Sequence, residues 1–166
     1  MAHLNALDRR DYRNALGRFA TGVTVVTTCA SNGLPIGVTA NSFTSVSMAP
    51  PLVSWNYRLE AAGLQAFLDA EYFAIHVLSQ RQKLLSPQFS SATADRFAGV
   101  DVQVGLGNLP IIPNSLAIFE CRKWSTLEAG DHVILLGEVL RYSYNEEPPL
   151  VFHGGTYTQL PEPQLN

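Results

Sequence analysis

Runs of apolar residues, several of them rich in β-branched side chains, recur along the whole chain. They are residues 23–28, 52–55, 72–78, 100–104, 115–121, 132–140 and 149–157. Segments of this length and composition predict β-strands. The last of them is expected to run into a glycine turn.

Helical periodicity is confined to three segments, residues 8–20, 61–69 and 80–89. In the first, apolar residues recur every three or four positions, which places them on one face of a helix. They are Tyr12, Ala15, Leu16, Phe19 and Ala20. Asp8 is predicted to cap this helix at its N-terminus and Gly22 to end it. In the third segment, Leu84 and Leu85 are predicted to point inward.

Residues 37–52 differ from the other strands because small hydroxyl side chains stand where a buried strand would carry valine or isoleucine. They read as one extended segment that stops at Pro50 and Pro51. The preceding Asn32-Gly33 pair is a strong hairpin signal, so the segment should return from a hairpin that begins at Val23. A strand lined with small polar side chains suits the binding of a flat ligand with polar edges, although an exposed Ser/Thr-rich strand would have the same composition.

Strands outnumber helices, and most connections are too short for parallel crossovers. A closed or split antiparallel β-barrel with a few flanking helices fits this pattern best. At 166 residues the chain is expected to form one domain. Its N-terminal helix would span about residues 8–21 and its barrel about residues 23–160.

Composition excludes several classes of protein. The net charge is −3, and no basic cluster runs beyond Arg9-Arg10, which argues against nucleic acid as a partner. No apolar run approaches a membrane span, and the N-terminus lacks the apolar core of a signal peptide. Only 15% of residues are charged, which hints at surface covered by a second subunit. Cys29 and Cys121 form no CxxC pair; a disulfide stays open, but a reduced cytoplasmic protein is the simpler interpretation.

Motifs for phosphate loops, serine hydrolases and zinc proteases are absent. Gly105 and Gly107 begin a glycine pattern like that of dinucleotide-binding folds, but Pro110 replaces its third glycine. The histidines are His3, His76, His132 and His153. Their spacing predicts no metal site.

A few residues could carry chemistry. His132 follows Gly130-Asp131 at the start of an apolar strand, where it could meet a ligand or simply cap the strand. His153 precedes two glycines that allow close backbone approach, or a plain turn. Within the hydroxyl-rich segment, Thr39, Asn41 and Ser42 could bond the edge of a flavin or nucleobase. His76 alternates with strand residues and is expected in the core. Gly63, near a helix start, offers amides to a phosphate.

Taken in order, several segments resemble the short-chain flavin reductase family. They are residues 18–27 (RFATGVTVVT), 37–47 (GVTANSFTSVS) with 50–52 (PPL), 73–78 (FAIHVL), 95–99 (DRFAG), 130–132 (GDH), 137–139 (GEV) and 149–157 (PLVFHGGTY). The resemblance extends from about residue 12 to 160. It implies a split antiparallel Greek-key β-barrel that binds FMN or FAD, uses NADH or NADPH, and forms a homodimer. Many members supply reduced flavin to a separate monooxygenase.

The resemblance also implies a set of site residues. Residues on the flavin side would be Thr39, Ala40, Asn41, Ser42, Ser45, Ser47, Trp55, Asn56, Gly63, Leu64, Phe89 and Ser90. On the nicotinamide side they would be Asp131, His132, His153, Gly154, Gly155 and Tyr157, with His132 positioning the nicotinamide. Two departures stand out. Gly63 occupies a place where relatives commonly have serine, and His76 one where they commonly have asparagine.

The implied mechanism needs no nucleophile, because hydride would pass directly from nicotinamide C4 to flavin N5. Two other functions stay open at this point. One is a flavin-binding electron carrier of the same fold without efficient NAD(P)H turnover. The other is an enzyme of the pyridoxamine-phosphate-oxidase type, against which the scarcity of clustered Lys and Arg speaks.

Overall fold

The computed structural model describes residues 8–161, and β-strands are its dominant elements. They are β1 (Thr21–Gly22), β2 (Thr24–Cys29), β3 (Pro35–Ala40), β4 (Thr44–Met48), β5 (Pro51–Arg58), β6 (Tyr72–Val77), β7 (Gln103–Val104), β8 (Pro110–Ile111), β9 (Ala117–Ala129), β10 (His132–Tyr144), β11 (Val151–His153) and β12 (Thr156–Thr158). The α-helices are α1 (Arg9–Leu16), α2 (Leu64–Asp69) and α3 (Leu85–Ser90), with 3-10 turns at Gln80–Gln82 and Leu106–Asn108. Residues 1–7 and 162–166, which include His3 and belong to the predicted single domain, lie outside the described residues.

Seven strands form one antiparallel sheet in the order β3-β2-β6-β9-β10-β5-β4. Although β3 and β4 are consecutive in the chain, they lie at opposite ends of this order. The sheet curls so that Ser42, in the connection between them, accepts a hydrogen bond from the Asn56 amide of β5 at 2.9 Å. The fold is therefore the mainly β, split-barrel class that the sequence predicts.

The barrel interior is built around Trp55, whose side chain is 0% exposed. Its indole packs on Tyr57, Phe67 and Phe73, with ring centroids 4.9–6.1 Å apart. Burial of aromatic rings of this size supplies much of the driving force for folding. Gly137 lies beside them at a register shift in β10. A Cβ there would collide with the Phe73 ring, so the close packing of β10 on β6 requires glycine.

The hairpin predicted at Asn32-Gly33 joins β2 to β3. Only Gly33 has a positive φ, of 81°, and the Asn32 side chain accepts a hydrogen bond from the Leu34 amide at 3.0 Å. The predicted single strand over residues 37–52 is wrong. The chain turns at residues 41–43, so its two halves form β3 and β4 at opposite ends of the sheet.

The N-terminal helix is shorter than predicted. Asp8 caps it as expected, accepting hydrogen bonds from the amides of Arg10 and Asp11. The helix ends at Gly17 rather than Gly22, because Gly22 already pairs with Val151 in a small second sheet, β1-β11-β12. Its predicted apolar face is not buried by the described residues, and Phe19 just beyond it is 79% exposed.

The other helices also depart from the predictions in detail. Residues 80–89 form a 3-10 turn and then α3, with Leu84 80% exposed and Leu85 packed inward. Of the predicted strand over residues 100–104, only β7 forms. The hairpin of β9 and β10 is much longer than predicted, with 13 residues in each strand, or about 40 Å at the usual rise.

His76 is a fully buried residue of β6, as expected. Its Nδ1 lies 3.0 Å from the carbonyl oxygen of Val25, and its Nε2 accepts a hydrogen bond from the Ile112 amide at 3.1 Å. Burial lowers the pKa of this imidazole to about 4, so it is neutral and donates from Nδ1. An asparagine amide also carries a donor and an acceptor group, so an asparagine at this position could satisfy the same two backbone groups.

Candidate functional site

A cleft of about 430 Å³ opens where the barrel splits, between β3 on one side and β5 and the start of β10 on the other. We call it the central cleft. Seven residues of the predicted flavin-side set line it, together with His132 of the predicted nicotinamide side. On the flavin side they are Thr39, Ala40, Asn41, Ser42, Asn56, Phe89 and Ser90, of which the last two belong to α3.

Two further cavities adjoin the central cleft. The tyrosine pocket, of about 250 Å³, shares Thr39–Asn41 with it and extends to Phe152 and Tyr157. The loop pocket, of about 420 Å³, shares Ala62 and Arg96 with it and is bordered by residues 92–97. The three cavities together form a groove along the open side of the barrel.

The polar side chains of β3 and its turn are used differently. The Thr39 hydroxyl donates to the Ser86 carbonyl oxygen at 2.6 Å, and this bond holds α3 against β3. The Ser42 hydroxyl bonds the Asn56 backbone. The Asn41 amide, by contrast, is exposed in the cleft, and no other residue within 8–161 bonds it. Asn41 can therefore offer both a donor and an acceptor to a ligand.

His132 also lines the cleft, at the start of β10. The turn before it is a two-residue hairpin loop in which Gly130 has a φ of 63°. His132 Nδ1 lies 2.7 Å from Asp131 Oδ1, and this hydrogen bond holds the pKa of the Asp131 carboxyl below its ordinary value. With Nδ1 engaged by Asp131, Nε2 is the ring nitrogen left for a ligand.

Arg96 is a site residue to which the sequence interpretation gave no role. Its Nε donates to the Ser91 carbonyl oxygen and its Nη1 to that of Gly37, both at 2.9 Å. These bonds fix the guanidinium where the central cleft meets the loop pocket. In the sequence, the segment DRFAG (residues 95–99) is the signal for an ordered arginine, because the neighbours Asp95 and Phe97 can hold Arg96 within its own loop. A fixed guanidinium at a cavity junction suits a phosphate.

Several predicted site residues lie elsewhere. Trp55 and Leu64 are core residues, so their buried side chains support the cleft from behind instead of contacting a ligand. Ser45 and Ser47 belong to β4, outside the three cavities. Asp131 acts through His132. His153, Gly154 and Gly155 form the tip of the β11–β12 hairpin, and the hairpin reaches the groove through Phe152 and Tyr157 instead.

Gly63 lines the loop pocket just before α2. A Cβ at this position would come within 3.0 Å of the Tyr57 hydroxyl and 3.3 Å of Ile36. The space that a serine side chain would occupy is thus taken up in part by tyrosine. A hydroxyl group is still present at this place, contributed by Tyr57.

The described residues contain no group of three His, Cys, Asp or Glu side chains close enough to hold a metal ion. Cys29 and Cys121 are both free thiols. Across residues 8–161, no helix has the length and apolar character needed to cross a membrane.

Comparison with known proteins gives a consistent result. The model of the flavin reductase like domain matches residues 16–161. FMN reductase (NADH) SmoA of Agrobacterium fabrum is 47% identical over 89% of this chain and 84% of its own length. The reductase component of the flavin-dependent trigonelline monooxygenase of Acinetobacter baylyi is 38% identical over 95% of this chain, which spans only 51% of that relative.

A solved structure agrees with these relatives. The NADH:FAD oxidoreductase SgcE6 of Streptomyces globisporus, in complex with NAD and FAD fragments, superposes with a TM-score of 0.89 at 37% identity, covering 96% of each chain.

Proposed function

The chain belongs to the flavin reductase like family, and from that premise we propose that it is an NADH-dependent flavin reductase. The observation that carries the proposal is the central cleft, a cavity of about 430 Å³ that both Asn41 and His132 line. A cavity of this size holds a three-ring ligand and a stacked pyridine ring. The relatives named FMN reductase (NADH) and NADH:FAD oxidoreductase support the same cofactors.

The donor set of the cleft fits a flavin. Asn41 can bond the polar edge of the ring system, and the neighbouring strand backbone can approach it because residues 39–42 are small. Arg96 is placed to hold the phosphate at the other end. When bound, the flavin supplies the redox chemistry by accepting a hydride at N5 from nicotinamide C4. The chain's own residues bind and orient the two partners and keep them in contact.

His132 is proposed to position the nicotinamide. Asp131 holds the imidazole through Nδ1, so Nε2 can bond the nicotinamide amide or a phosphate of the dinucleotide. In this proposal Asp131 only orients His132, and neither residue gives or takes a proton during the reaction.

Mixing the purified protein with NADH and FMN tests the proposed function. Loss of NADH absorbance that requires added flavin, and that saturates with both substrates, is the expected result. Tightly bound flavin without NADH turnover would instead indicate an electron carrier of the same fold.

Replacing His132 with alanine is expected to raise the KM for NADH by about five- to twentyfold, since a hydrogen bond of about 1–2 kcal/mol is lost. The dissociation constant of FMN should change by less than about twofold. Steady-state kinetics and flavin fluorescence titration measure the two quantities. Unchanged KM and turnover would remove His132 from the site.

Replacing Asn41 with alanine should weaken flavin binding by about three- to tenfold, through loss of a neutral hydrogen bond. Turnover at saturating flavin should change little, because the side chain binds the ring without taking part in the transfer. Fluorescence titration of FMN measures the affinity. Ser45→Ala, on β4 outside the groove, is the matched control; an equal loss of affinity in that variant would contradict the assignment.

A flavin-dependent monooxygenase is proposed as the acceptor of the reduced flavin. The support comes from relatives named as reductase components or subunits of such enzymes. A cytoplasmic location belongs to the same proposal, because NADH and two free thiols suit a reducing compartment. Flavin-dependent oxygenase activity that depends on the added reductase tests the partnership.

A homodimer is also proposed. Pairing of β10 with β5 ends at Glu138, and beyond it Leu140, Tyr142 and Tyr144 lie on one face of the strand and are exposed. The apolar side chains Tyr12 and Leu16 of α1 are exposed as well. Apolar area of this kind is typical of an interface. Light scattering on the eluted protein should give twice the chain mass of 18.1 kDa, and a monomer mass would contradict the proposal.

A further inference from the structure

The side chain of Tyr57 belongs to the barrel core and also lines the central cleft. Its ring packs on Trp55 and Phe67, with centroid distances of 5.5 and 5.6 Å. The residue is 8% exposed, and it lines the cleft together with Arg96. Because the core holds the ring, the hydroxyl at its end has a fixed position.

This hydroxyl lies where the central cleft meets the loop pocket. It is 3.0 Å from the point that a Cβ at Gly63 would take, and Gly63 lines the loop pocket. Burial raises the pKa of the Tyr57 phenol, against the smaller, opposite effect of the nearby Arg96 guanidinium. The hydroxyl therefore keeps its proton at neutral pH and can donate it to a ligand.

The surroundings of the hydroxyl favour an anion. Arg96 uses Nε and Nη1 on the carbonyl oxygens of Ser91 and Gly37, which leaves Nη2 for a ligand. The described lining of the central cleft includes two arginines, Arg58 and Arg96, and no carboxylate. Within residues 8–161, no oxygen atom accepts a hydrogen bond from the Tyr57 hydroxyl. A phosphate at this junction would give the hydroxyl an acceptor.

We propose that Tyr57 is a ligand of the flavin phosphate, and that its hydroxyl takes the place of a side chain at position 63. This rests on the proposed flavin site. The hydroxyl donates a hydrogen bond to one phosphate oxygen, while Arg96 supplies the positive charge and a second donor. The core holds Tyr57 and the loop holds Arg96 before the ligand arrives, so little side-chain freedom is lost on binding.

Tyr57→Phe tests the phosphate contact, because the phenyl ring keeps the packing on Trp55 and Phe67. The dissociation constant of FMN should rise by about tenfold, and that of riboflavin, which lacks the phosphate, by less than about twofold. Flavin fluorescence titration measures both. Tyr72→Phe removes a phenol hydroxyl from β6, outside the three cavities, and should change neither value. Unchanged FMN affinity in Tyr57→Phe, or an equal loss for both ligands, would overturn the inference.

A second pair of variants tests whether positions 57 and 63 compete for one place. Gly63→Ser alone should not tighten FMN binding, because its Cβ would meet the Tyr57 hydroxyl at 3.0 Å. In Tyr57→Phe that oxygen is gone, and the φ of −86° at Gly63 is one that serine adopts. The double variant Tyr57→Phe/Gly63→Ser should therefore bind FMN at least about threefold more tightly than Tyr57→Phe. A double variant as weak as Tyr57→Phe would overturn the inference, as would tighter binding by Gly63→Ser alone.

The wild-type protein separates this inference from the proposed function. In each of the overturning cases, the wild type still binds FMN and oxidises NADH when FMN is added. A wild type that binds neither FMN nor riboflavin, or that does not oxidise NADH with either, would overturn the proposed function itself.

Discussion

Replacing His76 with alanine is expected to lower the free energy of unfolding by about 3–5 kcal/mol at neutral pH. The imidazole is 0% exposed and satisfies a carbonyl on β2 and the Ile112 amide next to β8. Its removal leaves two buried backbone groups unpaired, at about 1–3 kcal/mol each, and creates a cavity. Urea unfolding followed by tryptophan fluorescence measures the change, since Trp55 is in the core.

The same residue predicts acid sensitivity of the wild-type fold. Burial lowers the pKa of His76 to about 4 from an unfolded value near 6.5. Between these two pH values the unfolded state takes up a proton that the native state does not bind, so stability falls as the pH falls. The full effect, reached near pH 4, is about 3 kcal/mol.

His76→Asn is the matched control, because the amide keeps a donor and an acceptor but cannot be protonated in this range. All other ionisable groups are common to the two proteins. The stability of the wild type should therefore fall more steeply than that of the variant from pH 7.5 to pH 5. An identical loss of stability in both would show that His76 is not the titrating group.

Elements governed by local sequence are those that the sequence predicts well. The strands at residues 23–28, 72–78 and 132–140 form because runs of β-branched and apolar residues favour strands over helices and turns. Asp8 caps α1, and the Asn32-Gly33 turn forms where expected, since both depend on neighbouring backbone groups. Thr39–Ser42 line the central cleft, and their role in binding a ligand stays a prediction.

Elements governed by distant contacts are the ones that differ. The end of α1 depends on pairing of Gly22 with β11, 129 residues away in the chain (22 to 151). The direction of Leu84 is reversed because a 3-10 turn precedes α3 and rotates its first residues. Trp55 lies in the core and not in the cleft, because strand alternation places Asn56 on the open side. Leu64 is buried as the first residue of α2. The position of Arg96 depends on its hydrogen bond to the carbonyl oxygen of Gly37, which is 59 residues away in the chain.

Replacing Arg96 with methionine is expected to weaken FMN binding by about 10- to 100-fold, the value of a charge-assisted hydrogen bond to a phosphate. Methionine keeps much of the side-chain length but loses both the charge and the donors. The loop also loses its bonds to Ser91 and Gly37, so a general loosening must be separated from loss of the phosphate contact. Isothermal titration with FMN and with riboflavin measures both.

Riboflavin distinguishes loss of the phosphate contact from a general loosening of the loop, because it lacks the phosphate. If Arg96 binds the phosphate, the variant loses affinity for FMN while its affinity for riboflavin changes by less than about threefold. The ratio of the two dissociation constants then moves toward one. Arg81→Met, at an exposed arginine paired with Glu147 at 3.2 Å outside the groove, should leave that ratio at its wild-type value. If Arg96→Met weakens the binding of both ligands equally, Arg96 only holds the loop in place. The phosphate would then have to bind at the end of the cleft next to α2.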